Sequence, residues 1–385
     1  MKSRERRRRD SILTSIAIVV ILILLFIANM VMDNYQLRIL NLCGIYIILS
    51  LSMILINGFL GLFSLGHAGF MAIGAYTVAL LTMTPTEKVL NYYLSPIVPW
   101  LANTQWPFLP ALLLGGFLAA IAGLLIGAPV LRLRDDYLAI ATLGFAEIIR
   151  IVFTNLQSVT NGALGLKGLP KMEIGIPFTG LSLNMSACIW LAAIATIIFM
   201  IRLVNGSYGK AFTAIREDEI AAEAMGINVF KHKLLAFIIA SFFAGIGGGL
   251  LGNIMGTVDP LMFRFLLTYN IVLIVVFGGI GSLTGGVLAA IAITAAMEIL
   301  RFLDSSFSLG PIHVSGIPGL RMVVFSLLLM FVIIFKPRGI MGVREFTWQW
   351  LLELPDSIRG FFSNRGIVLN KKRFINRKAK KGCDK

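Results

Sequence analysis

Apolar runs long enough to cross a lipid bilayer recur through most of this chain, and no other feature restricts its fold so strongly. A helix needs roughly 20 mostly apolar residues to span the hydrocarbon layer, because each residue advances it by about 1.5 Å. Such runs occupy 12–32, 37–57, 68–84, 108–131, 137–154, 187–204 and 233–253, with shorter ones at 268–281, 283–300 and 319–335. No water inside the bilayer can satisfy backbone amides, so a spanning segment of this length must be helical. The pattern predicts an all-α polytopic membrane protein of about ten transmembrane helices. Composition agrees: 57% of the residues are hydrophobic and 14% are charged, against about a quarter charged in soluble domains.

The net charge is +15, and its placement matters more than its size. Basic residues gather in MKSRERRRRD and in the stretch from Lys336 onward, which finishes NKKRFINRKAKKGCDK. A nucleic-acid surface needs such residues spread over a folded face. Clusters that flank apolar spans mark cytoplasmic segments instead, so no nucleic-acid partner is expected. The basic ends, RLRDD at 132–136 and the stretch 205–232 then fall on one side of an even number of spans. The loops 85–107 and 155–186, poor in Lys and Arg, fall on the other. Both termini are therefore expected in the cytoplasm, with 1–11 and 336–385 as basic segments around a membrane domain at 12–335. The run 12–32 is too long for a signal-peptide core and no small-residue cleavage site follows, so it reads as a retained helix.

Chemistry-bearing residues are sparse. Cys43, Cys188 and Cys383 show no disulfide or zinc spacing, and His67, His232 and His313 are scattered. Gly209-Lys210 lacks the upstream Gly and the following Ser or Thr of a phosphate loop. No Ser/His/Asp grouping, paired acids or HExxH marks a catalytic centre, so neither enzyme activity nor a bound cofactor is expected.

One stretch reads like soluble protein: SYGKAFTAIREDEIAAEAMGINVFKHK, 207–233. A helix is expected at about 207–228, gathering Ala214, Ala221, Ala222 and Met225 toward one face and leaving Arg216, Glu217, Asp218 and Glu223 elsewhere. Gly226 and Asn228 suit a sharp helix end, and Lys231, His232 and Lys233 are expected to anchor the next span. A short charged helix with an alanine-rich face and no Trp fits a partner's groove better than a lipid surface. Two apolar segments are interrupted by glycine, NGFLGLFSLGHAGF at 57–70 and FGGIGSLTGG at 277–286, and both contain G-x-x-S-L. Irregular backbone at membrane depth must be buried in protein or line a cavity, so each is either a close-packing site or part of a substrate route. GIGGGLLG at 245–252 reads as close helix packing through Gly245/Gly249 and Gly248/Gly252.

AIREDEIAAEAMGIN resembles the coupling-helix motif of ABC importer permeases, Glu-Ala-Ala-x-x-x-Gly. Ala221, Ala222 and Gly226 fill the Ala, Ala and Gly positions, while Ile220 stands at the Glu position with Glu219 beside it. With RLRDDYLAIATLGFAEIIR (132–150), SLGHAGFMAIGAY (64–76) and FGGIGSLTGGV, the chain is similar to branched-chain amino-acid permeases of the LivM type from about 37 to 342. The resemblance implies a multi-pass protein of the bacterial inner membrane that translocates Leu, Ile or Val. Its implied partners are a paralogous LivH-type permease, an extracytoplasmic substrate-binding protein and two ABC ATPase subunits, which alone bind ATP. It assigns Arg216, Glu219, Ala221, Ala222, Glu223 and Gly226 to ATPase coupling. Ser64, Gly66, His67, Gly69, Gly279 and Ser282 become candidates for the substrate path, although a packed histidine explains His67 as well. A permease for urea or short amides remains open beside this reading. A proton-coupled carrier would need a titratable relay, and only Glu147 lies near the midplane. Glu147 with Arg150, and Glu298 with Arg301, share i, i+3 spacing and are expected to neutralise each other locally.

Overall fold

A computed structural model describes residues 31–345 with Leu25 and Ile27, except 94, 134, 171–173, 176–181, 302–306, 310–311, 315–318, 337–338 and 343–344. The segment expected at 1–11, most of the expected span 12–32, and the basic stretch beyond 345 lie outside the described residues. α1 (Asn34–Ile54) runs directly into a π-helical turn, Leu55–Phe59. After an irregular stretch come α2 (His67–Thr82), the short α3 (Pro85–Asn91) and α4 (Pro99–Ala102), then α5 (Phe108–Val130) and α6 (Asp135–Asn155). A single turn, α7 (Gln157–Thr160), precedes α8 (Met185–Asn205), α9 (Ser207–Glu217) and α10 (Glu219–Ala224). α11 (Val229–Met255), α12 (Phe265–Gly278), α13 (Leu283–Ile299) and α14 (Leu320–Phe335) follow.

Five of these are long and apolar enough to cross a membrane: Asn34–Phe59, α5, Tyr137–Asn155 of α6, α8 and α11, of 19 to 27 residues. The apolar α2, α12, α13 and α14 are shorter, at 16, 14, 17 and 16 residues. Three of the short ones abut the glycine-rich breaks. α3 folds back from α2 by 120°, begun by Pro85 and a reciprocal cap between Thr84 and Glu87. The strands are two- or three-residue ladders between loops: β1 (Leu166–Lys167) with β4 (Thr257–Val258), β2 (Ile174–Gly175) with β3 (Ser182–Leu183), and β5 (Phe307–Leu309) with β6 (Ile312–Val314).

α11 forms the core with α1, α2 and α5. Lipid tails are as apolar as leucine, so helices in a membrane gain little from burying leucine and pack instead where small residues let backbones touch. A Cβ on Gly74 of α2 would run into the Gly245 carbonyl, and one on Gly248 into the carbonyl of Met71. Gly245 also faces Ala119 and Gly115 of α5. The close packing expected from GIGGGLLG thus joins three helices.

Loops collect at two ends. At one, Asn91 exchanges two hydrogen bonds with the Lys167 backbone at 2.8 and 2.9 Å. The fully buried Lys88 donates to the carbonyls of Leu101 and Thr104, and burial holds its pKa below the usual lysine value. Tyr35, Glu298 and Arg301 also cluster, with Arg301 donating to Glu298 at 3.0 Å, as the spacing predicts.

At the other end lie α9, α10, both glycine-rich breaks and the segment after α14. The expected boundary at 335 falls short of what the bundle holds. Ile340 N donates to Phe277 O at 2.9 Å and Met341 N to Gly278 O at 3.2 Å. The Glu345 carboxylate accepts from Leu283 N at 2.7 Å and Thr284 N at 3.2 Å, closing the amino end of α13. Those amides have no partner within the helix, and a carboxylate there also opposes the helix dipole favourably. Glu345→Ala is expected to cost about 1 kcal/mol, read as a thermal midpoint lower by a few degrees in detergent, with Glu345→Gln intermediate.

Candidate functional site

The charged stretch does not form the single helix expected. Asp218 takes an extended backbone (φ −161°, ψ 114°), ends α9 and caps α10 by accepting from Ile220 N and Ala221 N at 2.9 and 3.0 Å. Aspartate competes for backbone amides in this way, and a helix restarts after it. The break separates Ala214 from Ala221, Ala222 and Met225, so these four do not share a face. Ala222 is buried, whereas Ile220 and Met225 are 82% and 84% exposed. Ile220 and Met225, with the exposed Ala221 and Ala224, are the apolar side chains this turn presents outward among its acids. Gly226 turns the chain with φ +84°, and Asn228 begins α11 by accepting from Lys231 N at 3.0 Å.

The turn is fastened to the bundle. Lys233, expected at the lipid surface, is buried and pairs with Glu219. Phe212 is fully buried, and His232 bonds the Asn228 carbonyl at 2.8 Å. Beside the turn, an open concavity of about 520 Å³ is lined by Glu219, Glu223, Gly226, Phe230 and Leu131.

Arg216 makes the most consequential contact, and composition offered no sign of it. Its NH1 donates to the Gly58 carbonyl, in the π-helical turn, at 3.0 Å, while Glu217 accepts from Nε and NH2 at 3.2 and 2.6 Å. Its stem lies on Gly61 (φ +78°), where an added Cβ would stand 2.5 Å from Arg216 Cγ. Gly58 in turn faces the second break: a Cβ there would be 3.0 Å from Gly281 N. The two glycine-broken segments are therefore neighbours, and Arg216 joins the charged turn to the first of them.

The expected path residues are covered within this chain, and most hold backbone in place. Ser64 and Ser282 are fully buried, and Ser282 caps α13 by accepting from Gly285 N at 3.0 Å. His67, also buried, bonds Ser52 Oγ through Nε2 at 2.7 Å, not the backbone. Gly66 precedes α2, Gly69 lets α2 approach Ala146 of α6, and Gly279 (φ +111°) lies against Gly339. Thr142 of α6 accepts from Leu65 N at 3.0 Å and Thr268 of α12 from Ala68 N at 2.9 Å. Sequence reading missed both threonines; a threonine inside an apolar span is the only trace they leave. Glu147 and Arg150 pair as expected, with Arg150 Nε 2.9 Å from both carboxylate oxygens.

The family model described as "Branched-chain amino acid transport system / permease component" matches residues 35–333. The high-affinity branched-chain amino acid transport system permease protein LivM of Escherichia coli (strain K12) is 38% identical over 280 residues, 67% of this chain and 61% of that relative. The chain thus spans about three-fifths of that relative's length. A probable LivM of Methanocaldococcus jannaschii is 25% identical over 77% of this chain and 90% of its own length. LivH of Escherichia coli (strain K12) is 25% identical over 78% of this chain and 92% of its own. No solved structure matches. With a family match running from the start of α1 to the last turn of α14, the chain belongs to the branched-chain amino acid transport system permease components.

Proposed function

We propose that this chain is a membrane-spanning, non-catalytic subunit of an ATP-driven importer that brings branched-chain amino acids into the cytoplasm. The observation that carries the reading is the fastened turn at 218–228, which shows Ile220 and Met225 to solvent and reaches the first glycine-rich break through Arg216. In this reading the turn seats in one of two separate ATPase subunits. Their closure moves the turn, Arg216 passes the displacement to Gly58 and Gly61, and the adjoining break at 279–282 follows. The breaks are the parts that deform, because their glycines tolerate backbone angles that other residues do not. The substrate route runs beside them, between this chain and a LivH-type permease, after an extracytoplasmic binding protein releases the amino acid. The end bearing the charged turn faces the bacterial cytoplasm and the loops around Asn91 and Lys167 face outward, which agrees with the positive-inside bias.

The test is uptake into proteoliposomes containing both permeases, the ATPases and the binding protein, with labelled leucine, isoleucine, valine and urea offered separately. ATP-dependent accumulation of the three amino acids is expected; accumulation of urea alone would overturn the substrate class. Gly226→Arg should lower the amount of ATPase co-purifying and reduce leucine uptake several-fold at unchanged membrane levels. A side chain there meets left-handed strain of about 1–2 kcal/mol as well as the docking partner. Normal co-purification with normal uptake would remove the turn from the docking surface.

A further inference from the structure

α6 is the least covered of the five full-length spans: 17% of its apolar window is buried in this chain, against 78% for α1. Its inward stripe is Leu138, Thr142 and Ala146, which packs toward α2 and the first break. At about 100° per residue, Ile140, Gly144, Glu147 and Ile151 fall on the opposite side, and all four are exposed. Nothing stands within 4 Å of a Cβ built on Gly144. An exposed apolar stripe alone would suit lipid, as Leu113, Phe117 and Leu124 of α5 do.

Glu147 makes lipid a costly neighbour for this stripe. Its side chain is 48% exposed, and it lies 8 residues from the Asn155 end of α6 and 12 from the Asp135 end. At about 1.5 Å per residue that places it some 12 Å inside one end and 18 Å inside the other. It sits within hydrocarbon depth, too far along the helix for so short a side chain to reach headgroups. Arg150 holds the carboxylate, its Nε 2.9 Å from both oxygens. Charged groups at this depth face protein or water, because exposure to acyl chains costs several kcal/mol. Pairing with Arg150 leaves half of the Glu147 side chain uncovered.

We infer that the outward face of α6, from Ile140 to Ile151 with Glu147 at its polar centre, is the wall this chain turns toward a second permease chain of the same family across a hydrated seam. The inference rests on the proposed importer. A homologous bundle is the occupant the features fit: the Gly144 notch admits another helix closely, and water in a seam solvates Glu147 where lipid would not.

The test places a photoreactive benzoylphenylalanine at Ile151, at Ile140 in a second variant, and at Leu113 of α5 as the lipid control. Each is illuminated in the intact complex in membranes, and adducts are identified by mass spectrometry. Adducts between Ile151 or Ile140 and a permease chain of this family, with none from Leu113, are expected. Adducts to lipid alone from both α6 positions, or to a protein that is not a permease, would overturn the inference. Leucine uptake by the unmodified complex is measured in the same membranes. Absent uptake with permease adducts formed counts against the importer reading alone, whereas normal uptake with lipid adducts counts against the α6 wall alone.

Discussion

Arg216→Ala is expected to separate ATP hydrolysis from transport: the assembled complex keeps hydrolysing ATP while uptake of labelled leucine falls by about tenfold or more. The Arg216 guanidinium gives the Gly58 carbonyl a partner at 3.0 Å in a turn whose chain then leaves the helix, and its stem fills the space beside Gly61. A hydrogen bond from a charged donor is worth about 1.5–3 kcal/mol, and about 1.4 kcal/mol is already tenfold in an equilibrium. Alanine removes both contacts but leaves Ile220, Met225 and the Asp218 cap untouched, so docking should survive. Arg216→Lys should recover part of the uptake, since one ammonium can reach Gly58 without matching the fork that also holds Glu217. The informative quantity is leucine transported per ATP hydrolysed. If hydrolysis and uptake drop in the same proportion with less ATPase bound, Arg216 belongs to the docking surface and the strut is wrong.

Gly74→Leu should leave almost no folded protein. A side chain there meets the Gly245 carbonyl, which is backbone of the most buried helix pair and cannot step aside. Separating α2 from α11 would also undo the contacts of Gly248 with Met71 and of Gly249 with Val78. Overpacking ordinarily costs about 1–3 kcal/mol; a backbone clash repeated along a whole helix pair exceeds that and approaches the stability of an entire domain, about 5–15 kcal/mol. The measurement is monodisperse yield after detergent extraction. Leu113→Ala, on the exposed side of α5, is the control and should match the unmodified chain. Equal yields from the two variants would contradict the packing.

The five full-length spans were readable in the sequence because bilayer thickness sets a minimum length for them, and the glycine-rich breaks because glycine interrupts that pattern conspicuously. Gly226 at a sharp turn was readable for the same local reason. What escaped reading depended on which side of a helix meets a neighbour. The alanine face dissolved because Asp218 prefers capping a new helix to continuing the old one, a choice between two local energies of similar size. Lys233 reads as a surface anchor until Glu219 is seen beside it, and the Arg216–Gly58 bond joins residues 158 positions apart. Ser64, His67 and Ser282 were drawn to attention as polar residues beside glycine. Ser64 accepts from Gly66 N at 3.5 Å and Ser282 from Gly285 N at 3.0 Å, so these two serve amides that a break would leave unpaired, whereas His67 bonds Ser52.

Glu345 has a bearing on how the protein is made. The amides of Leu283 and Thr284 meet the Glu345 carboxylate, in a residue synthesised 62 positions after Leu283. Until the chain has grown that far, the amino end of α13 and the second break beside it lack their closing contact, even if every span before them is already inserted. Chains are built and inserted from the amino end, so this corner of the bundle is completed last, after α14 has crossed. Nascent chains halted just before Glu345 should therefore expose the 279–284 backbone to hydrogen exchange, and chains halted well past it should not.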